Sequence, residues 1–233
     1  MRNVVLTVPA LFNNKQRIAI RDAGALAGVN VIKILNRPEA AAVALGLDKK
    51  DGSLLILDIG NGILDVSIIV VDKGNIVTKF TIEERIFGFV KRLVEHVFLE
   101  CEGRMSVGIS RSRLTRACQG AMRTLCLSAV ADINLHKDHG EFLTSTTISR
   151  STLEEISSDL IEETLKPVKT VVENANLDQS SITDIVLVGQ LAWLPSVTRQ
   201  LEDYLPGRKV QTSINPDEVV ATGAAMVASC LSA

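Results

Sequence analysis

Aromatic residues are scarce in this chain of 233 residues, which has one Trp, one Tyr and six Phe. So few aromatic side chains exclude the stacking platforms on which proteins hold single-stranded nucleic acid. An excess of positive charge is missing as well, since 25 Lys and Arg face 27 Asp and Glu. Affinity for phosphate backbones comes from clustered Lys and Arg, so we expect no nucleic-acid partner.

Long apolar runs and paired cysteines are also absent from the sequence. No stretch approaches the roughly 20 apolar residues that span a bilayer, so we expect no membrane partner. The N-terminal apolar run is broken by Pro9 and makes a poor signal peptide. No CxxC pair occurs, which favours reduced thiols and a cytoplasmic protein. The four cysteines are Cys101, Cys118, Cys126 and Cys230.

The apolar residues that are present follow an α/β pattern in the first fifty positions. A strand at Asn3–Val8 precedes a helix whose start Asn13 and Gln16 are spaced to cap reciprocally. A second strand at Val29–Leu35 and a short helix at Glu39–Leu45 follow. This alternation predicts a buried sheet that is covered by helices.

A polar break at residues 49–52 is the best candidate for a domain boundary. Glycine turns then separate β-branched runs, a pattern that predicts an antiparallel meander. The predicted strands are Leu54–Asp58, Ile63–Val71 and Ile76–Thr81. Further helices are predicted over Phe87–Cys101 and Arg111–Leu127.

The second half of the chain is predicted to contain a hairpin and a long amphipathic helix. The turn His136–Gly140 separates the two strands of the hairpin, and we interpret His136 and His139 there as solvated rather than as metal ligands. Ser151 and Glu154 have the spacing of a capping box. The helix that follows keeps a 3.6-residue period to residue 175, and Pro167 should kink or restart it.

The stretch from Asp58 to Asp65 carries the clearest chemical signal. One Asp ends a buried strand, a turn containing Gly60 and Gly62 follows, and a second Asp starts the return strand. Glycines let backbone N–H groups approach a phosphate, and carboxylates hold Mg²⁺ or its waters. The same pattern also suits an ordinary glycine hairpin. A second strand-to-loop junction lies at Gly189, where α/β sheets place ligands.

Several segments, taken in order, resemble the nucleotide-binding domain of the heat shock protein 70 kDa family, the DnaK-type chaperones. The segments that carry the resemblance are Thr7–Asn13, Asp22–Gly28, Asn36–Ala42, Leu47–Lys50, Asp58–Ser67, Arg116–Leu125, Asp184–Gly189 and Ser213–Ala225. The resemblance implies an actin-like ATPase fold of the ribonuclease H-like class. It also implies two lobes, with ATP or ADP and magnesium in the cleft between them.

The resemblance covers only part of that family's plan, so we expect an N-terminally truncated and incomplete fold. Residues 1–50 match part of the lower subdomain of lobe I. Residues 53–233 match a complete lobe II, with an inserted upper subdomain at about 82–150. The first phosphate-binding hairpin, the catalytic-site lysine and the peptide-binding domain have no counterpart. The exposed edge of the strand Asn3–Val8 then predicts a marginal fold, a dimer or dependence on a partner.

The resemblance also implies which nucleotide contacts are kept. The retained positions are Asp58, Gly60, Gly62, Asp65, Arg123, Gly189 and Asp217. Asp58 would in addition hold magnesium through water. Each of these residues also has a plain structural reading, as a strand end, a turn or a cap.

Other positions depart from the family pattern. Arg37 stands where the family has a glutamate that helps to place the attacking water and magnesium, and Arg cannot act as a base at neutral pH. Asn61 replaces a turn glycine, and its side chain would hinder the approach of a phosphate. Ile63 replaces a phosphate-contacting hydroxyl, and Trp193 replaces the arginine that stacks on adenine. Family contacts are also lost at Gln119, Met122 and Cys126, and a phosphate loop of the family has no counterpart around Phe87–Phe89. We assign no catalytic residue.

Three hypotheses follow for function. The first is a degenerate pseudo-ATPase without peptide clamp, which acts through nucleotide-exchange factors, J-domain cochaperones or a second copy of itself. The alternative is an ATP-binding chaperone-family protein with weak nucleotide binding. The third is a gene remnant without selected function. The sequence leans towards a protein that is not an enzyme.

Overall fold

The computed structural model describes residues 3–60, 62–86, 88–101, 109–137, 139–208, 210–211 and 213–232. Strands β1 (Asn3–Val8) and β2 (Asn30–Asn36) form a two-stranded parallel sheet, joined by helix α1 (Asn14–Leu26). The predicted capping box is confirmed, because Asn13 Oδ1 accepts from the Gln16 N–H at 3.0 Å and Gln16 Oε1 accepts from the Asn13 N–H at 2.9 Å.

A five-stranded mixed sheet forms the centre of the molecule. Its strands are β3 (Gly52–Gly60), β4 (Ile63–Asp72), β5 (Asn75–Arg85), β8 (Ile182–Val188) and β9 (Val210–Gln211). The spatial order is β5-β4-β3-β8-β9, in which β3, β4 and β5 are the predicted antiparallel meander and β8 runs parallel to β3. β3 is buried along most of its length, as a central strand with both faces covered should be.

A second group of elements packs together around helix α4 (Arg111–Leu127). It also contains helix α3 (Phe89–Glu100) and the predicted hairpin of β6 (Val130–His136) and β7 (Phe142–Ser149). In β6 every second residue is buried, so one face of the hairpin packs inward against α4. In the turn, Asp138 lies outside the described residues, and His139 Nε2 lies 3.0 Å from a Glu141 carboxylate oxygen.

The predicted capping box at Ser151 is wrong. Helix α5 (Arg150–Ile156) is capped by Ser149, whose Oγ accepts from the Thr152 N–H at 3.0 Å. The Glu154 carboxylate instead accepts from the backbone N–H and hydroxyl of Ser196, at 3.0 and 2.8 Å. It thereby caps helix α8 (Pro195–Tyr204), whose Ser196 lies 42 residues away in sequence. Because Ser196 is far from Glu154 in sequence, no local spacing indicates this contact. The capping-box pattern therefore assigned Glu154 to the wrong hydrogen-bond donor, the backbone N–H of Ser151.

The long helix predicted to follow is interrupted twice. α5 is followed by α6 (Ser158–Glu163) and α7 (Leu165–Asn174), so the helix restarts shortly before Pro167, as predicted. Helix α8 (Pro195–Tyr204) begins on a proline, where the missing N–H costs nothing. None of the helices in the described ranges is long and apolar enough to cross a membrane.

Helix α2 (Arg37–Ala44) joins the N-terminal fifty residues to the central sheet. It begins at Arg37, two residues earlier than predicted, because Pro38 is well suited to the first turn. It packs on the C-terminal helix α9 (Val219–Ser232), which also contacts β1. The approach is so close that a Cβ built on Gly223 would lie 1.8 Å from the Ala40 carbonyl oxygen. The predicted domain boundary at 49–52 stays a prediction.

Candidate functional site

Two carboxylates face each other on neighbouring strands of the central sheet. Asp58 near the end of β3 and Asp65 near the start of β4 are directly opposed in the antiparallel register. Their side chains retain only 21% and 15% of their exposure, so each charge is partly removed from water. Two like charges held this close repel unless a cation or a proton lies between them.

Arg37 supplies that cation. Its Nη1 lies 3.7 Å from an Asp58 carboxylate oxygen and 4.0 Å from one of Asp65. These separations are too long for hydrogen bonds, so the contact is a charge pairing across a short gap. One guanidinium therefore stands beside both carboxylates, and Arg37 faces the metal-binding candidate Asp58 directly.

The position of Arg37 is fixed by its neighbours on both sides. Asn36 accepts a hydrogen bond from Arg17 Nη2 at 2.6 Å and donates to Glu39 Oε1 at 2.7 Å. Glu39 Oε1 also accepts from the Thr78 hydroxyl at 2.9 Å, which ties α2 to β5. Sequence reasoning missed this network. The three-residue spacing from Asn36 to Glu39 was the available signal.

The pKa values of both Asp58 and Asp65 are raised, because the two carboxyl groups are buried and close together. Burial raises the pKa of Asp65 to about 6, with further increases from Asp58 and Glu83, while Arg37 opposes the shift. Burial also raises the pKa of Asp58, where Arg37 lowers it and Asp217 raises it again. Desolvation outweighs the single arginine in both cases, so Arg37 compensates the carboxylates only in part.

A cavity of about 460 Å³ opens beside Asp58. It brings together five of the predicted binding residues with Arg37, and these six are Arg37, Asp58, Gly60, Arg123, Gly189 and Asp217. Asp65 lies behind this cavity, in a small cleft that it shares with Arg37 and Asp58. Residues from α2, β3, α4 and the loop before α9 thus converge on one space.

Gly62 lies apart from the other predicted residues. It lines a second cavity, of about 290 Å³, together with Gln119, Met122 and Arg123. Arg123 therefore lines both cavities. Gln119 and Met122, two of the positions at which the family's adenosine contacts were expected, line this second space, whereas Cys126 and Trp193 do not.

Gly189 has a structural reason to be glycine. Its φ is +85°, and a Cβ there would lie 2.7 Å from the Ile59 carbonyl oxygen and 2.9 Å from Asp58 Oδ1. Its N–H donates to the Pro216 carbonyl at 3.1 Å. That amide is therefore already used within the protein, and the residue serves close packing of the loop on β3.

Two further departures from the family pattern, Cys126 and Trp193, line neither cavity. Asn61 and Phe87 lie outside the described residues. Trp193 lines neither cavity, and its indole N–H is buried without a hydrogen-bond partner in the described part of the chain. Burial, and then Asp217, raises the pKa of the Cys126 thiol to about 11, so it stays protonated at neutral pH.

The arrangement does not fit a divalent cation at Asp58 and Asp65. Mg²⁺ takes oxygen ligands and its waters in a tight octahedron. Here a fixed positive charge already stands beside both carboxylates. Among the described residues, no group of three or more His, Cys, Asp and Glu is placed to hold a metal ion.

Comparison with known proteins places the chain beside a family of chaperones. The family profile described as Hsp70 protein matches residues 1–233. The Heat shock 70 kDa protein of Neurospora crassa is 40% identical, over all of this chain and 38% of its own length. The Heat shock 70 kDa protein 2 of Paracoccidioides lutzii is also 40% identical, over 37% of its length. The Heat shock cognate 70 kDa protein 3 of Dictyostelium discoideum is 39% identical, over 39% of its length. The chain thus spans well under half the length of these relatives.

Proposed function

The chain belongs to the Hsp70 family, and from that premise we propose that it is a degenerate form of the family's nucleotide-binding domain, without efficient ATPase activity. In the Hsp70 family this domain has an actin-like ATPase fold and binds nucleotide, usually with magnesium. In this chain we expect protein contacts, rather than ATP hydrolysis, to carry the function.

The observation that carries the proposal is Arg37 beside Asp58 and Asp65, at 3.7 and 4.0 Å. A guanidinium keeps its proton at any physiological pH, so it cannot accept one from water. Its single charge also repels a divalent cation from the carboxylates. Losing one oriented charge or donor commonly costs about 3–4 kcal/mol of transition-state stabilisation.

Two further features support the proposal that this chain hydrolyses ATP inefficiently, if at all. The Gly189 amide donates to Pro216 within the protein, so it is not free to bind a phosphate. Trp193 lines neither cavity, so its aromatic ring gives no stacking surface in either space. Two positions at which the family contacts nucleotide, Gly189 and Trp193, therefore offer no such contact in these cavities.

The proposed partners are the proteins with which the family works, namely J-domain cochaperones and nucleotide-exchange factors. A second copy of the chain is a further candidate, since β1 pairs only with β2 among the described strands. Leu11, Ile18 and Leu26 add exposed apolar surface to the same N-terminal region. We propose a cytoplasmic location for these contacts.

The test for catalysis is hydrolysis of labelled ATP in a single-turnover assay with Mg²⁺. We expect the wild-type chain to give no more product than Asp58→Asn. The variant Arg37→Glu restores the family's residue, and Arg21→Glu on exposed α1 makes the same charge change away from the site. Product that depends on Asp58 in the wild-type chain would contradict the proposal.

The test for partners is retention of the purified chain on an immobilised J-domain, on an immobilised exchange factor and on itself. We expect retention on at least one of the three. If the folded chain passes through all three columns, the hypothesis of protein contacts fails. The reading as a gene remnant without selected function would then be favoured.

A second candidate function is a chaperone-family protein with weak nucleotide binding. The cavity of about 460 Å³, with Arg37 and Arg123 in its walls, favours it. This candidate is compatible with the absence of hydrolysis, because binding phosphate requires donors whereas hydrolysis also requires an activated water.

A further inference from the structure

Helix α4 carries a positive charge that no other residue of the helix balances. Its 17 residues include four arginines and no Asp, Glu or Lys. The arginines are Arg111, Arg113, Arg116 and Arg123. Arg113 and Arg116 lie three positions apart, so their side chains are neighbours on the helix surface. Arg116 lies about 10 Å before Arg123 along the helix axis, so this arginine pair is separate from the cavities that Arg123 lines.

A separate cavity of about 210 Å³ opens between α4 and β6, and the arginine pair lines it. From β6 it is lined by Asn134 and His136, which lie on the exposed face of that strand. The His136 ring packs edge-on against Phe142, with ring centroids 5.6 Å apart, and this contact restricts the orientation of the imidazole. Four polar side chains from two elements therefore line one space, and none of them lines the cavities at Asp58 and Gly62.

Among the described residues, no acidic side chain lines this cavity, in contrast to the cavity at the carboxylate pair. The two acids that the structure describes on the same hairpin are already engaged. Asp132 accepts from the Thr147 hydroxyl at 2.7 Å. Glu141 pairs with Lys137 at 2.8 Å. Arg116 is exposed and forms neither an ion pair nor a hydrogen bond with another described residue, so its donors are available to a ligand.

We propose that this cavity binds a phosphate monoester, presented as a phosphorylated Ser or Thr side chain by a peptide or protein partner. Such a group carries a charge of about −1.5 to −2 at pH 7, which matches the two guanidinium charges of the arginine pair. Arginine forks bind phosphate oxygens through paired N–H donors, and clusters of arginine recognise phosphorylated motifs. The Asn134 amide supplies a further donor from the opposite wall.

The size and the apolar part of the lining favour a phosphorylated segment over a free ion. The volume is about seven times that of one water molecule in the liquid, which exceeds what a phosphate group needs. Ile109, Ala117 and Leu135 complete the lining, so apolar side chains beside the phosphorylated residue would find apolar contacts there. The inference goes beyond the proposed function, because it involves neither the carboxylate pair nor a nucleotide.

The experiment is a fluorescence anisotropy titration of the full chain with a short labelled peptide that has one phosphoserine between leucines. The same peptide with Ser or with Glu at that position shows whether the phosphate is required. Unlabelled phosphoserine peptide and inorganic phosphate are compared as competitors, which distinguishes a phosphorylated segment from a free ion.

Three variants of α4 locate the binding. Arg113→Gln and Arg116→Gln remove the two guanidinium groups of the pair. Arg111→Gln is the matched control, because Arg111 lies on the same helix and does not line this cavity. Circular dichroism of each variant checks that it is folded.

We expect the phosphoserine peptide to bind and the serine and glutamate peptides to bind at least about tenfold more weakly. Arg113→Gln and Arg116→Gln should each weaken binding by about tenfold, whereas Arg111→Gln should match the wild type. No binding of the phosphoserine peptide, equal binding of the serine or glutamate peptide, or an equal loss in Arg111→Gln overturns the inference. Displacement by inorganic phosphate as efficient as by unlabelled peptide also overturns it. The proposed function is tested separately, by the turnover assay and the immobilised partners.

Discussion

Helix α2 makes two unlike contacts within about one turn. At its start, Arg37 reaches two carboxylates across 3.7 and 4.0 Å and stays partly exposed. Slightly further along, Ala40, Ala41 and Ala42 are fully buried, Ala40 against α9 and the other two in an apolar cluster with residues of the central sheet. The apolar contact depends on the volumes of several small residues, whereas the charged contact depends on one side chain. The chemistry at Arg37 can therefore change while the packing that holds the fold is kept.

The largest expected effect comes from filling the apolar contact. In Gly223→Ala the new Cβ meets the Ala40 carbonyl at 1.8 Å, so α2 and α9 must move apart. We expect a loss of about 3 kcal/mol in the free energy of unfolding, measured by urea denaturation. Gly120→Ala on α4 is the control, because its Cβ meets nothing within 4 Å. That change should stabilise by up to about 1 kcal/mol. If Gly223→Ala and Gly120→Ala changed the free energy of unfolding equally, the close packing of α2 on α9 would not be what the fold depends on.

A smaller effect is expected from the charged contact when one carboxylate is neutralised. The pKa of Asp65 is raised from 3.8 to about 6, so the folded state binds the proton more tightly than the unfolded state. The stability that this proton provides is complete below about pH 4 and is lost as the pH rises through about 6. Asp65→Asn should therefore stabilise the chain by about 2 kcal/mol at pH 7 and flatten its pH dependence between 4 and 6. A variant that is no more stable than wild type at pH 7 would show that the carboxylates are not strained.

The hydrogen bond between α2 and β5 should contribute less to the free energy of unfolding. Thr78→Val removes the hydroxyl that donates to Glu39 and keeps the shape of the side chain. We expect a loss of about 1 kcal/mol in the free energy of unfolding. Thr170→Val is the control, since its hydroxyl bonds only to the Lys166 carbonyl within α7. An equal loss in both variants would mean that the tie does not position α2.

The smallest effect on stability is expected from Arg37→Gln. The guanidinium is 42% exposed, and such pairs contribute at most about 1 kcal/mol. Because Arg37 lowers the pKa of both carboxylates, its removal should raise the pKa of Asp65 above about 6. Titration of the carboxyl carbon by NMR measures that shift directly. A pKa that stays where it was would mean that Arg37 does not act on the pair.

The sequence predicted the elements well where the signal was local. The reciprocal cap at Asn13 and the bounds of α4 follow from residues close in sequence, and the structure has both. The cap of α5 was misassigned because Glu154 binds Ser196, which only the tertiary fold brings near. Local spacing cannot distinguish a partner three residues away from one that the fold supplies.

The site was predicted less completely than the fold. The family resemblance identified Arg37 as a charge reversal, but its position beside both carboxylates depends on α2 beginning at Arg37 rather than at Glu39. The separation of Gly62 from Asp58 into different cavities also depends on packing, because both residues belong to one short stretch of sequence. The role of the seven residues in binding nucleotide stays a prediction.

The most direct test of the account is binding of Mn²⁺, a paramagnetic substitute for magnesium, followed by electron paramagnetic resonance. Arg37→Glu places a third carboxylate beside Asp58 and Asp65, so it should bind about one Mn²⁺ per chain, and the further change Asp58→Asn should abolish that binding. The account predicts that the wild-type chain leaves Mn²⁺ free at the same concentrations. Binding of Mn²⁺ by the wild-type chain that is lost in Asp58→Asn would contradict it.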